Sequence, residues 1–260
     1  GTTATTGVYV SYFTQSGAVY QPKTTVVTTA SIASVRIKKI NDSSFAVAWT
    51  ISGTLRVAAY NNDGTTALAP TDVTTTIVAG TGPTLWNWNI LTNGNYVFAY
   101  RKVTSNDLVF SRFNSSMVLQ GTETVVEAAS TPQYISVLAH STGDFWIYYY
   151  RSAATSGSKF ARYNNTGTLQ GSLTTIFAST SPFSNNFWSQ INELGNTNVL
   201  MFALDAGTYP NAYVYNSSGT LVASNTTWHE STAATTLTLF CPSVFVESNV
   251  ATICVLNNSS

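Results

Sequence analysis

Charge is what this sequence holds least of. Asp, Glu, Lys and Arg make up 8% of its 260 residues, against about 25% in an average soluble protein. Eleven bases balance eleven acids, and no basic cluster exceeds Arg36, Lys38 and Lys39. Nucleic acid and anionic membrane surfaces therefore find no electrostatic footprint. Histidine is nearly missing: His140 and His229 are the only two, and no Cys/His/Asp cluster has metal-ligand spacing, so neither a metal nor a cofactor is expected. No apolar run approaches the ~20 residues of a spanning helix, so membrane insertion is not expected, and no stretch reads as a signal peptide. The start at Gly1 instead of Met reads as a processed chain or an excised domain. A Gly-x-Ser-x-Gly elbow and a Gly-rich phosphate loop are both absent.

What remains is apolar and hydroxyl-rich. Hydrophobic residues reach 44% and aromatics 13%, enough to fill a core. The surface then falls to Thr, Ser, Asn, Gln and Tyr, which suits an extracellular setting: secreted, cell-surface or virion. An apolar strand recurs at Phe45–Trp49, Tyr96–Tyr100, Phe145–Tyr149, Val199–Ala203 and Val250–Cys254, with starts spaced by 51, 49, 54 and 51 residues. A second strand ends in an aromatic followed by an Asn/Ser/Gly turn, at Phe13, Tyr60, Phe113, Tyr163 and Tyr215, spaced by 47, 53, 50 and 52. Two anchors recurring at about 50 residues indicate radial repetition of small sheets.

Within a repeat, period-two alternation and turn chemistry set the strands. Leu85–Leu91, the pair Asn93-Gly94 and Tyr96–Tyr100 make a hairpin. Ser158–Tyr163, Asn164-Asn165-Thr166-Gly167 and Leu169–Phe177 make the next. The chain opens with the turn-ending strand Gly7–Phe13 and its follower Val19–Thr28, and finishes with the other half, Leu237–Phe245 and Val250–Leu256. Pairing these halves in one sheet closes a ring and removes its exposed edges. The expected fold is all-β: a single domain over 1–260, a five-bladed β-propeller with four antiparallel strands per blade.

The two cysteines, Cys241 and Cys254, flank one turn of that closing blade. They are either a disulfide bracing the closure in an oxidising compartment or two buried thiols. Sequons fall at Asn41, Asn114, Asn164, Asn216, Asn225, Asn257 and Asn258. Asn114, Asn164 and Asn216 occupy equivalent turns, where N-glycosylation is expected to be tolerated, as it is at Asn225.

Five-bladed propellers also serve as glycosidases, which need paired carboxylates. Asp42, Asp63, Asp107, Asp144 and Glu247 fall in expected turns; Glu193 and Asp205 are the best-placed acids, and neither has an evident partner. Along the strand nearest the axis, Arg36, Asn87, Ser136, Gln190 and Cys241 align, as do Lys38, Asn89, Leu138, Asn192 and Ser243, a mostly polar set on one face, while Ile37, Trp88, Val137 and Ile191 point the other way. This polar row is a candidate channel lining. Aromatics beside amides are candidate sugar platforms: Trp86 and Trp88 with their neighbouring asparagines, Trp188 with Gln190, and Trp228 beside His229.

Phe45-Ala46-Val47-Ala48-Trp49, together with Arg162-Tyr163-Asn164-Asn165-Thr166-Gly167-Thr168-Leu169, resembles the repeat of bacterial and viral surface propellers, an apolar strand followed by an Arg-aromatic-x-x-x-Gly-x-Leu hairpin. Blade number and repeat length also resemble the tachylectin-type lectins, whose own binding motif is not recognisable here. The resemblance implies a non-enzymatic extracellular module that binds carbohydrate or surface proteins. Two further readings stand beside it: a structural or decorating subunit of a filament, layer or virion, self-associating as such subunits do, and a glycoside-processing enzyme.

Overall fold

Strands form where Val, Ile, Thr and aromatic residues alternate, and they stop where Asn, Asp and Gly can bend the chain. The computed structural model describes residues 7–13, 16–29, 32–77, 85–151, 156–179, 190–204, 210–225, 243–247 and 250–254. In chain order the strands are β1 (Gly7–Phe13) and β2 (Val19–Thr28); β3 (Ile32–Asn41), β4 (Ser44–Ile51), β5 (Thr54–Asn61) and β6 (Thr66–Thr74); β7 (Trp86–Ile90), β8 (Tyr96–Arg101), β9 (Leu108–Phe113) and β10 (Thr124–Glu127); β11 (Pro132–Ala139), β12 (Phe145–Arg151), β13 (Ser156–Tyr163) and β14 (Thr174–Ser179); β15 (Gln190–Glu193), β16 (Val199–Leu204), β17 (Pro210–Tyr215) and β18 (Leu221–Asn225); and β19 (Ser243–Glu247) and β20 (Val250–Cys254). Strands β3 to β18 form four antiparallel meanders of four strands each, here called blades 1 to 4, and β1–β2 and β19–β20 are two-stranded sheets. The first strands of successive sheets lie beside one another: β3 by β7, β7 by β11, β11 by β15 and β15 by β19. The molecule is all-β, an array of β-propeller type consistent with five blades.

One expected strand bound moves, one lies outside the described residues, and one acid changes place. The strand expected over Leu169–Phe177 starts at Thr174; Leu169 makes an isolated bridge to Tyr163, and the chain bends again at Gly171, whose φ is +89°. Only Ser243–Glu247 is seen of the strand expected to begin at Leu237, residues 226–242 lying outside the described ones. Glu247 accordingly ends a strand and does not sit in a turn.

Asparagine and aspartate organise the turns along one rim. Asn164 Oδ1 accepts from the amides of Thr166 (3.1 Å) and Thr168 (2.9 Å) and from the Thr166 hydroxyl (2.7 Å). Asn216 repeats this with Ser218 and Thr220, and Asn114 with the amides of Ser116 and Val118. These are Asx turns, in which a short side chain replaces a backbone acceptor. Gly167 fits its turn for two reasons. Its φ is +83°, and a Cβ there would stand 2.6 Å from the Arg112 guanidinium.

Packing between blades sets bulk against space. The Trp86, Trp88, Tyr96, Phe98 and Tyr100 side of blade 2 meets Ala46, Ala48, Leu55 and Val57 of blade 1. Phe145, Ile147 and Tyr149 of blade 3 meet Val97 and Ala99 of blade 2. On the far side of blade 3 the relation inverts, and Trp146, Tyr148 and Phe160 meet Val199 and Met201 of blade 4. Val8, Tyr12 and Val26 of the N-terminal pair pack on Phe45, Val47 and Trp49 of blade 1.

Candidate functional site

The polar row on the first strands is half-buried at Arg36, Lys38, Asn87, Asn89, Gln190 and Asn192 and buried at Ser136. Three of its members reach sideways. Asn87 Nδ2 donates to the Ile135 carbonyl (3.1 Å) and Asn89 Nδ2 to the Val137 carbonyl (3.1 Å), stapling β7 to β11. The Arg36 guanidinium lies 5.3 Å from the Trp86 ring centre, bridging β3 to β7. Burial lowers the Arg36 pKa to about 10, and burial followed by the Arg36 charge lowers Lys38. Trp88, Val137 and Ile191 point into the core as alternation requires, but Ile37 is 57% exposed.

Trp86 and Trp88 are not sugar platforms. They are 1% and 0% exposed, and Trp86 Nε1 donates to Ser34 Oγ (2.7 Å) across the blade junction. Alternation put both rings on one face of β7, and the alanines of blade 1 make that face the interior. Trp188, Trp228 and Cys241 lie outside the described residues, as do the side chains of Cys254 and Asn225, so the platform and disulfide expectations there are not addressed. Asn114, Asn164 and Asn216 are half-buried turn hubs.

The acids are occupied. Glu193 accepts from the Ser141 amide (2.9 Å) and the Ser141 hydroxyl. Its neighbour His140, 1% exposed, places Nε2 2.9 Å from the Thr197 carbonyl and Nδ1 2.7 Å from Thr142 Oγ1; this clasp ties blade 3 to blade 4. Glu123 accepts from Tyr100 (2.6 Å) and Lys102 (2.7 Å). Asp72 faces Arg56, Asp144 faces Arg162, and Asp42 faces Lys39. Asp63 and Asp107 are held below the usual carboxylate range, first by side-chain hydrogen bonds from Thr65 and Ser105 respectively. Asp205 lies outside the described residues. Among the described residues no group of His, Cys, Asp and Glu is arranged to hold a metal ion.

One cluster has no counterpart in the sequence reading. Glu127, at the end of β10, crosses from blade 2 to blade 3. Its Oε2 accepts from the Tyr149 hydroxyl (2.7 Å) and its Oε1 from Arg151 Nη1 (3.3 Å) and Lys159 Nζ. Burial, then the bond to Glu127, holds the Tyr149 hydroxyl far above its ordinary pKa. The connection from β10 to β11 beside it carries left-handed backbone at Ala129 (φ +47°) and Thr131 (+45°), and Tyr134 follows at +54° just inside β11. Such conformations cost non-glycine residues free energy and collect at functional sites. The β12–β13 register, Tyr149 opposite Lys159, follows from hairpin spacing; Glu127 arrives from another blade and leaves no local signal.

No family model and no curated protein matches this chain. Among solved structures it is similar to an alpha-L-arabinofuranosidase from Clostridium thermocellum, at 14% identity and a TM-score of 0.44, covering 76% of this chain and 72% of that one. It is also similar to a mutant of the Aleuria aurantia lectin in complex with alpha-methyl-L-fucoside (15%, TM-score 0.49, 73% of this chain and 58% of the lectin). TolB from Acinetobacter baumannii is a third (10%, TM-score 0.46, 84% of this chain and 48% of that one). All three are β-propeller proteins, and at these scores the likeness says nothing of activity.

Proposed function

We propose that this chain is a non-catalytic recognition module working outside the cell, with glycans as its ligand class. The observation that carries the reading is the contrast between its two rims. On one, turns tied by Asn, Asp and Gly join the first strand of each blade to the second and the third to the fourth; on the other run the passages from blade to blade and the β4–β5 and β8–β9 turns, where Ser52, Asn106, Ala129, Thr131 and Tyr134, five of the seven left-handed non-glycine residues among those described, gather with the Glu127 cluster. Connections of that kind, held on a rigid scaffold, are where proteins place recognition. The absence of catalysis is supported by the state of the acids. A glycoside hydrolase needs two carboxyl groups flanking the bond, one of them held protonated, and every acid side chain described here is bound to a cation or a hydrogen-bond donor.

The same proposal includes a ring of five blades, the fifth built from β19–β20 and β1–β2. Three observations support it. β19 lies beside β15 as β15 lies beside β11. β1 packs on β4 through Tyr12 and Phe45, as β5 packs on β8. A groove of about 290 Å³ between β1 and β3, lined by Val8, Val10, Val35, Ile37 and Val47, lies where the second strand of that blade belongs, and it leaves Val35 and Ile37, the counterparts of Trp86 and Trp88, 46% and 57% exposed.

A second reading, a self-associating subunit of a surface assembly, is favoured by Leu119, Leu169 and Leu221, each exposed at the equivalent point of consecutive blades. A glycan-array screen of the native protein, with its intact mass and sedimentation measured in parallel, separates the readings. Saturable binding with no release of reducing ends is the expected outcome. A folded protein that binds no glycan and sediments as an oligomer is the second reading instead, and release of reducing ends makes the chain an enzyme.

A further inference from the structure

We infer that the rim between blades 2 and 3 is a binding site for an anionic saccharide, one whose sugar ring carries a carboxylate; the inference rests on the glycan reading above. Glu127 is a single carboxylate answered by two cations and a phenol, so the cluster keeps one positive charge in excess, and Arg151, Lys159 and Glu127 are all largely buried. Arg151 Nε is buried and finds no acceptor from the protein. Pro132 stands opposite Arg151 in the β11–β12 ladder, which brings the preceding residue, Thr131, to the same end, and Thr131 Oγ1 is likewise buried without a protein partner.

Two unanswered donors at the same end of the β11–β12 ladder, with surplus positive charge beside Arg151, call for a negatively charged acceptor. The backbone has been bent to make this place. The β11–β12 register slips between Gln133 and Ser136, and the left-handed Tyr134, only half-buried, sets its ring at 49° to that of Tyr150 with 6.5 Å between centres. That aromatic pair belongs to the blade 4 face of β12, with Trp146 and Tyr148, and the blade 2 face keeps the charge-assisted donors, which suit the anionic edge of a sugar. A sulfate ester offers the same acceptor chemistry as a carboxylate, so the two sources are separated by measurement.

Isothermal titration of the purified protein with an oligogalacturonate, a sulfated galactan oligosaccharide and a neutral galactan tests the site. Each titration is repeated with Arg151→Gln and with Thr131→Val, which removes a hydroxyl at nearly constant volume and leaves the Glu127 contacts in place. Saturable binding of the oligogalacturonate is expected, weakened by added salt and by about tenfold in either variant, the equivalent of one charge-assisted hydrogen bond. Preference for the sulfated oligosaccharide with the same loss in the variants keeps the site and replaces the carboxylate. Binding that both variants leave unchanged, or binding of the neutral galactan alone, overturns the site while the glycan reading stands. No binding of any glycan, here or on the array, overturns the glycan reading itself. If Arg151→Gln does not fold, Thr131→Val decides.

Discussion

Asn164 holds its turn with an oxygen, and a glycan would occupy the nitrogen beside it. The hydroxyl that makes Asn164 a sequon, that of Thr166, is the one that donates to Asn164 Oδ1, and Ser218 does the same for Asn216. Sequon spelling is therefore what this turn requires, whether or not sugar is attached. Asn164→Ala removes three hydrogen bonds and is expected to cost about 1–3 kcal/mol in urea denaturation. Asn164→Asp keeps the oxygen, abolishes the sequon and should stay within about 0.5 kcal/mol of the parent. Equal loss in both would mean that the nitrogen, or a sugar on it, carries the stability. The Asx bonds that shape these turns are legible in sequence because their partners lie within four positions; the approach of Arg112 to Gly167 is not. The Glu127 cluster is not, since its acid and its cations are 24 and 32 residues apart.

Between elements, the stapling of first strands is the feature most open to test. Among the described residues neighbouring blades share no backbone ladder, so Asn87 and Asn89 supply with their amides bonds of the kind that strands of one sheet make with their main chains. Asn87→Ala and Asn89→Ala are each expected to cost about 1 kcal/mol, with faster hydrogen exchange in β7 and β11 and none of that change in β14. A uniform rise across all blades would show that the staples act on global stability alone. The strand anchors were legible because they repeat. The sidedness of β7 was not: alternation says that Trp86 and Trp88 share a face, and only Ala46 and Ala48, about 40 residues earlier in another sheet, say that this face is inside. On β3 the same alternation leaves Ile37 exposed, because what covers its counterpart Trp88 comes from the preceding blade.

For the molecule as a whole, buried phenols set a limit at high pH. Burial raises Tyr60, Tyr96, Tyr163 and Tyr215 above the ordinary value of 10, the last two to about 12. The native state therefore keeps protons that the unfolded chain gives up, so the stability these groups contribute is whole below pH 10 and is lost as pH rises toward 12. Circular dichroism and tyrosinate absorbance followed together should show the buried phenols ionising only as the fold is lost; ionisation near pH 10 with the spectrum unchanged would contradict this. The pairing of large faces with small ones has a consequence of another kind. A copy of blade 3 set after itself would press Phe145 and Tyr149 onto Trp146 and Tyr148, with no room for either. Blades that share one backbone plan have thus ceased to be interchangeable, and side-chain volume has become the record of which may stand next to which.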